Sequence, residues 1–480
     1  MVPKMAGPVT KQPGGMMSEA RAVFLEGNLF RHITVMALTS SVGLMAVFAV
    51  DFVDMVFIAM LGNAELAAAV GYAGAILFFT TSFGIGMAIA AGALVARALG
   101  QGDAELAKAQ AAAALVWGVV FGAIFAAAVW VNLASLATLM GATGETLDLA
   151  VHYLQIIVPS LPFLIVGMVG GAILRAHGDA RRAMMATIWG ALVNAVLDPI
   201  LIFGLGLELT GAALASVAAR LVIACTALIP IFRHHGGLVR PGIPEMSVAF
   251  VPILTIAAPA ILTQLATPLG QAFVTRTMAS FGEAAVAGMA IVGRMTPVAF
   301  GVIFALSGAI GPVIGQNYGA GRMDRVRQAW RDGLLFCAIF TVAMTAILFA
   351  LRGPIIALFE AEGVTRDLIV LFCGPLALAF FFNGVIFVAN AAFNNMGHPF
   401  RSTWINWGRH TLGTVPFVLA GGALFGAEGV LIGQAMGGVI FAAVASVMVR
   451  RMMAGATGLP APEKTFELQA RLMSLMYRRR

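Results

Sequence analysis

Twelve apolar runs, each long enough to cross a bilayer, occupy almost the whole chain and leave little that could cover a water-facing core. Read between breaks of Gly, Asn, Pro or charge, they fall at residues 33–61, 65–94, 105–139, 149–174, 182–204, 208–232, 250–281, 285–314, 327–351, 367–391, 402–422 and 429–449. Backbone in hydrocarbon must satisfy its own hydrogen bonds, so each run is predicted to be a helix. With 60% hydrophobic and 11% charged residues and a mean hydropathy of +0.94, a water-soluble enzyme is nearly excluded. The expected fold is an all-α polytopic membrane protein with twelve transmembrane helices.

The charged residues sort by connection. Odd-numbered connections carry Glu65, then Glu145 and Asp148, then Glu208, then Glu283, then Arg352, Glu360, Glu362, Arg366 and Asp367, then Glu428. Even-numbered ones carry Arg97 and Lys108, then Arg175, Arg181 and Arg182, then Arg233 and Arg240, then Arg322, Arg325 and Arg327, then Arg401. The positive-inside rule therefore puts the basic connections and both termini in the cytoplasm. The net charge of +7 forms no continuous patch, so nucleic acid is not an expected partner. Cys225, Cys337 and Cys373 lie inside apolar stretches, with no disulfide or zinc spacing. The start of the chain has no small-residue cleavage pattern and reads as leading into an uncleaved first span.

A repeat organises the runs. Leu99-Gly100-Gln101-Gly102 aligns with Tyr318-Gly319-Ala320-Gly321, and Arg175-Ala176-His177-Gly178 with Asn394-Asn395-Met396-Gly397, both at an offset of 219. Leu61-Gly62 aligns with Phe281-Gly282 at 220. Two homologous six-helix halves follow, and because six is even they enter the membrane in the same sense about a central cavity. The expected division is a cytoplasmic tail at 1–30, an N-terminal lobe at 31–232, a linker at 233–249, a C-terminal lobe at 250–450 and a cytoplasmic tail at 451–480.

Ionisable groups inside hydrocarbon are costly and point to function. Asp54 and Asp198 each lie eight residues before the Gly that ends an outward-running span, about 12 Å below the outer boundary at a rise of about 1.5 Å per residue. Tyr153 on span four and Ser216 on span six reach a similar depth from the opposite direction. Asn194 precedes Asp198 by four residues and shares its face, while Pro199 removes a donor and should loosen span five. Asp51, three residues before Asp54, is a further intramembrane acid on span one. Taken singly, each has an ordinary reading as an interhelical hydrogen bond or an interfacial group. The grouping at one level on spans one, four, five and six is what suggests a site. Mutual repulsion and desolvation both oppose ionising two such carboxylates together, so the pocket can change charge.

The second half lacks these acids: at the repeat offset Asp54 meets Val274, Asn194 meets Gly413 and Asp198 meets Phe417. Its spans carry Gln264, Gln271, Arg276, Arg294, Asn383, Asn390 and His410 instead, read mainly as packing or anchoring. Met289 and Met295, with Gln264 and Asn383, are candidate cavity residues, because flexible Met side chains suit varied ligands, although ordinary packing is the commoner use. No hydrolytic, nucleotide-binding or metal motif is present, so the chain reads as a non-enzyme without a cofactor whose uphill work must draw on an ion gradient.

Phe52-Val53-Asp54, the Gly100-Gln101-Gly102 turn, Leu174-Arg175-Ala176-His177-Gly178-Asp179 and above all Asn194-Ala195-Val196-Leu197-Asp198-Pro199 resemble the multidrug and toxic compound extrusion (MATE) transporters, in their DinF-like branch. The resemblance runs from about residue 25 to 450. It implies a V-shaped pair of lobes, alternating access, and export of small organic cations or amphipathic drugs in exchange for H+ or Na+. It further implies a monomer in the bacterial inner membrane. By position it makes Asp54 and Asp198 the coupling carboxylates, Asn194 and Tyr153 their partners and Ser216 a polar neighbour, with Na+ as the alternative ion at Asp54, Asn194 and Asp198. The missing acids on spans seven and ten depart from the NorM-like pattern. A lipid-linked oligosaccharide flippase and a passive channel are the competing readings. The segment Glu463 to Arg480 is expected to be a short amphipathic helix on the inner leaflet or a disordered basic tail.

Overall fold

The structure is a computed structural model, describing residues 22–239 and 242–455; the N-terminal tail before residue 22, Arg240 in the linker and the segment Glu463 to Arg480 lie outside it. The described chain is helical, with no strand among the described residues: α1 (Leu29–Met60), α2 (Ala64–Gly100), α3 (Ala104–Trp130), α4 (Leu133–Leu139), α5 (Gly144–Ile157), α6 (Leu161–Ala176), α7 (Ala180–Pro199), α8 (Glu208–His234), α9 (Ile243–Ala279), α10 (Glu283–Gly319), α11 (Met323–Leu358), α12 (Gly363–Leu371), α13 (Ala377–Asn395), α14 (Pro399–His410) and α15 (Val415–Gly455).

Eleven stretches are long and apolar enough to span a membrane, and the last of them, 57 residues from Pro399 to Gly455, holds two spans. At about 1.5 Å per residue it would be far longer than a bilayer is thick. Gly426, at φ 61° and ψ −142°, turns the chain back on itself inside α15. The two arms then close along a seam of glycines: a side chain on Gly421 or Gly437 would run into the backbone of Gly429 or Gly413. The twelve expected spans are therefore all present, in two six-span lobes, α1 to α8 and α9 to α15.

Several helices run past their apolar stretches. α2 continues to Gly100, α10 continues to Gly319, and α9 starts at Ile243, within the expected linker. Hydrocarbon thickness limits how long the apolar stretch needs to be, while the helix itself can continue through the interface. Span three is divided into α3 and α4, span four is interrupted by a 3-10 turn at Val158–Ser160 and span ten by a π-turn at Phe372–Leu376.

The repeat is visible in the backbone. Glycines with positive φ recur as Gly62 and Gly282, Gly102 and Gly321, Gly144 and Gly363, Gly178 and Gly397, Gly206 and Gly426, each pair offset by 219 or 220. Both lobes thus reverse direction at matching points, using the residue that enters the left-handed region without steric cost.

The lobes meet through α1 and α2 on one side and α9 and α10 on the other. The hydrogen bonds between them cluster, among the described residues, at the end that carries the basic connections. Arg97 donates to the carbonyls of Asn395 at 2.8 Å and Asn394 at 3.0 Å. Gln316 donates to the Ala176 carbonyl at 2.8 Å and accepts from the Phe24 backbone N–H at 2.9 Å. Asn317 and Arg325 hold the Phe24 carbonyl from below, which wedges the segment ahead of α1 into the seam. Towards the opposite end no side-chain hydrogen bond joins the lobes among the described residues, and Gly71 and Gly74 of α2 and Gly293 of α10 are exposed with open space where a side chain would lie. The cleft is closed at the arginine-rich end and open at the other.

Candidate functional site

α7 carries the core of the site. Asp179 caps its start by accepting from the Arg182 backbone N–H, and the helix then packs between α1 and α8. Asn194 and Asp198 sit one turn apart on its buried face, and after Pro199 the α-helix gives way to a π-turn at Ile200–Gly204, the loosening that the proline predicts. The Asn194 amide nitrogen donates to Asp198 at 2.6 Å and to the two carboxylate oxygens of Asp54 on α1 at 3.1 and 3.3 Å. One amide therefore links two acids from different helices. Asp198 is fully buried, and its Oδ1 has no hydrogen-bond partner.

Tyr153, buried on α5, lies beside Ser216 of α8, with Arg220, Asp54 and Asp198 as the charges around it. The structure thus gathers Asp54, Tyr153, Asn194, Asp198 and Ser216 into one pocket of the N-terminal lobe. Asp51 is exposed beside it and takes no part in the hydrogen bonding.

The C-terminal cavity candidates divide. Met289 and Met295 are half-buried, each packed on one side against an apolar cluster of its own lobe. Gln264 is half-buried, and Asn383 holds its Oδ1 buried without a partner. Both ring nitrogens of the buried His410 also lack partners among the described residues, and the ring packs against Gly270 of α9, where there is no side chain.

Three charged residues escaped the sequence reading. Arg220, four residues after Ser216 on the same face of α8, donates to the Ile157 carbonyl at 3.0 Å and to Ser160 at 2.8 Å, so it clamps the 3-10 turn behind Tyr153. Arg409 lies half-buried on α14. Asp332 of α11, in the half expected to lack acids, is half-buried near the backbone of Phe30 at the start of α1, where the helix dipole favours a carboxylate. The cost of burying charge, the argument that singled out Asp54, applies equally to all three and would have found them. Arg175 corrects the reading in another way. By position it is a loop charge, yet its guanidinium folds back along α6 towards Gly171 and reaches Gly308 of α10.

Outside the membrane-spanning segments, the loop after α6 holds a second polar group. Burial pushes the Asp179 carboxyl up, but hydrogen bonds from His235 and Arg182 outweigh it and hold the group down at about 2. Burial beside His235 pushes His177 down to about 4.

Two pseudo-symmetric helical lobes around a cleft, with acids hydrogen-bonded inside one of them, define a polytopic membrane transporter. The MatE family model matches the chain twice, over residues 40–200 and 259–419, one match in each lobe, and the chain belongs to this family. It is a multi-pass efflux transporter and not an enzyme. It is 29% identical over 403 residues to the FAD transporter of Shewanella oneidensis, covering 83% of this chain and 89% of that one. It is 25% identical to the multidrug export protein MepA of Staphylococcus haemolyticus, covering 87% and 92%. In fold it superposes on the MATE transporter VcmN of Vibrio cholerae with a TM-score of 0.85 at 24% identity, over 89% of this chain and 98% of that one. It also superposes on the outward-facing conformation of a multidrug resistance MATE family transporter with a TM-score of 0.83 at 23% identity, over 90% and 98%.

Proposed function

We propose that the chain is a secondary active antiporter of a bacterial cytoplasmic membrane that expels amphipathic organic compounds in exchange for protons, with Asp54 and Asp198 as the coupling acids. The observation that carries this reading is the Asn194 amide shared between the two carboxylates. With both acids ionised, two like charges face each other across a single donor in a low-dielectric pocket; a proton on either one removes that repulsion and supplies the O–H that the pocket lacks. The hydrogen bonding between α1 and α7 then changes, and with it the angle of the outer half of α1, which is one wall of the cleft. The arginine-rich end faces the cytoplasm under the positive-inside rule, so the described state is open outward, the state that takes up a proton and releases cargo. Relatives named as an FAD transporter and a multidrug export protein support an amphipathic, aromatic class of cargo.

Sodium is the second reading, since carboxylate and amide oxygens also coordinate cations. The test is efflux from proteoliposomes under a pH gradient and, separately, a sodium gradient. Proton coupling is expected, with Asp54→Asn and Asp198→Asn each lowering pH-driven flux at least tenfold. Flux that follows sodium alone would replace the ion, and full pH-driven flux in both variants would overturn the site.

A further inference from the structure

The mechanism above accounts for the acids but leaves the arginines of the cleft unused. Arg175 lies just beyond the hydrogen bond from Gln316 to the Ala176 carbonyl, on the closed floor of the cleft. A long basic side chain near a span end normally extends towards the nearby headgroups. Arg175 does the opposite: its guanidinium turns back towards Gly171 and crosses to Gly308 of the other lobe. It is half-buried and has no hydrogen-bond or carboxylate partner among the described residues. Arg294 is the second cation. Ala285, Gly288 and Val292 form the buried face of α10 against its own lobe, and Arg294 falls on the opposite side, exposed. That side is turned towards the N-terminal lobe: Gly301, seven residues on along the same face, lies against Met45 of α1, and Gly308, seven further, against Arg175. Among the described residues neither arginine forms an ion pair with Asp51, Asp54 or Asp198; the last two share the Asn194 amide inside the N-terminal lobe.

Guanidinium groups without a partner among the described residues, on the floor and wall of a cleft, attract a carboxylate or phosphate and repel an organic cation. We infer that the cargo of this transporter is an amphipathic organic anion, an aromatic body carrying phosphate or carboxylate, with Arg175 anchoring the anionic group and Arg294 guiding it along the wall. The inference rests on the proposed antiport and changes only the charge of the cargo. Proton and cargo then occupy separate places, so their coupling runs through the hydrogen bonds of α1 and not through competition for one charge.

Flavin mononucleotide and riboflavin share a ring system and differ by a phosphate, which isolates the feature in question; ethidium provides an organic cation. Uptake of each into everted membrane vesicles under an imposed pH gradient, and again under a sodium gradient, is the measurement. Flavin mononucleotide is expected to move at least tenfold faster than riboflavin. Arg175→Gln and Arg294→Gln should each lower that ratio about tenfold, and Arg175→Lys should restore part of it. Arg294 is exposed, so its variant keeps the test alive if Arg175→Gln fails to fold. Gradient-driven uptake of ethidium or riboflavin with no preference for the phosphate would overturn the anionic cargo while leaving the antiport standing. A phosphate preference that neither Gln variant reduces would overturn the assignment of the arginines. Movement of none of the three under either gradient would remove both readings.

Discussion

Arg97 Nε donates to the backbone carbonyl of Asn395 at 2.8 Å, joining the last turn of α2 in one lobe to the last turn of α13 in the other. Its second donor takes the Asn394 carbonyl, so one guanidinium covers two of the acceptors that a helix leaves free at its C-terminal end. The negative end of the α13 dipole adds to the attraction. A charged hydrogen bond contributes about 1.5–3 kcal/mol. Arg97→Gln is therefore expected to shift the balance between outward-open and inward-open states about tenfold or more towards inward-open. Maleimide labelling of a single cysteine placed at the seam, in a background without the three native cysteines, reads this directly. Unchanged labelling would show that the contact does not hold the seam shut.

Much of this arrangement can be read from the residues. The spans follow from apolar length, and the turns follow from glycines whose spacing repeats. Asp54, Asn194 and Asp198 stand out because hydrocarbon penalises such groups on every face that does not meet a partner. What the chain does not disclose is direction. Arg175 stands beside a loop and counts towards topology, yet whether its long side chain extends out to the headgroups or back into the cleft depends on what packs over it. Met289 and Met295 have the flexibility of cavity residues, but how much of each is covered by its own lobe depends on the neighbouring helices. The final hairpin was legible as two spans because Glu428 and the glycines before it break a hydrophobic stretch that could otherwise be read as continuous.

The loop after α6 gives a pH dependence with a defined sign. His177 is held down at about 4, by burial first and by His235 second, against an ordinary value of 6.5. A base whose folded value lies below its unfolded one adds no penalty above pH 6.5. As pH falls from 6.5 towards 4 the unfolded chain takes up a proton that the folded chain refuses, and stability drops by up to about 3 kcal/mol before levelling off. In His177→Gln that increment is absent, while an amide can still donate to the Ile173 carbonyl that His177 Nδ1 contacts at 2.9 Å. The melting temperature in detergent should therefore fall more steeply in the parent than in the variant between pH 6.5 and 4.5. Parallel curves would show that His177 takes up its proton in the folded state.

Gly100 and Gly319, equivalent in the two halves, meet the opposite lobe at closer range than any side chain allows. A Cβ on Gly100 would overlap the Gln316 backbone carbonyl, and one on Gly319 would overlap the carbonyl of Arg97. Both obstacles are helix backbone, which cannot swing aside as a side chain can. Each glycine also sits at the end of its helix, where alanine is at least as good a helix former, so neither substitution should unfold its own lobe. The strain falls on the seam that closes the arginine-rich end, and it vanishes when the lobes part there. Gly100→Ala and Gly319→Ala are accordingly expected to favour the inward-open state and to lower transport by an order of magnitude while the protein remains folded. Distances between spin labels on the α2–α3 and α10–α11 loops should lengthen in both variants. If those distances match the parent's while transport is lost, the glycines are needed for something other than closure. If transport survives as well, α2 and α10 can slide apart at little cost and the seam is softer than its geometry implies.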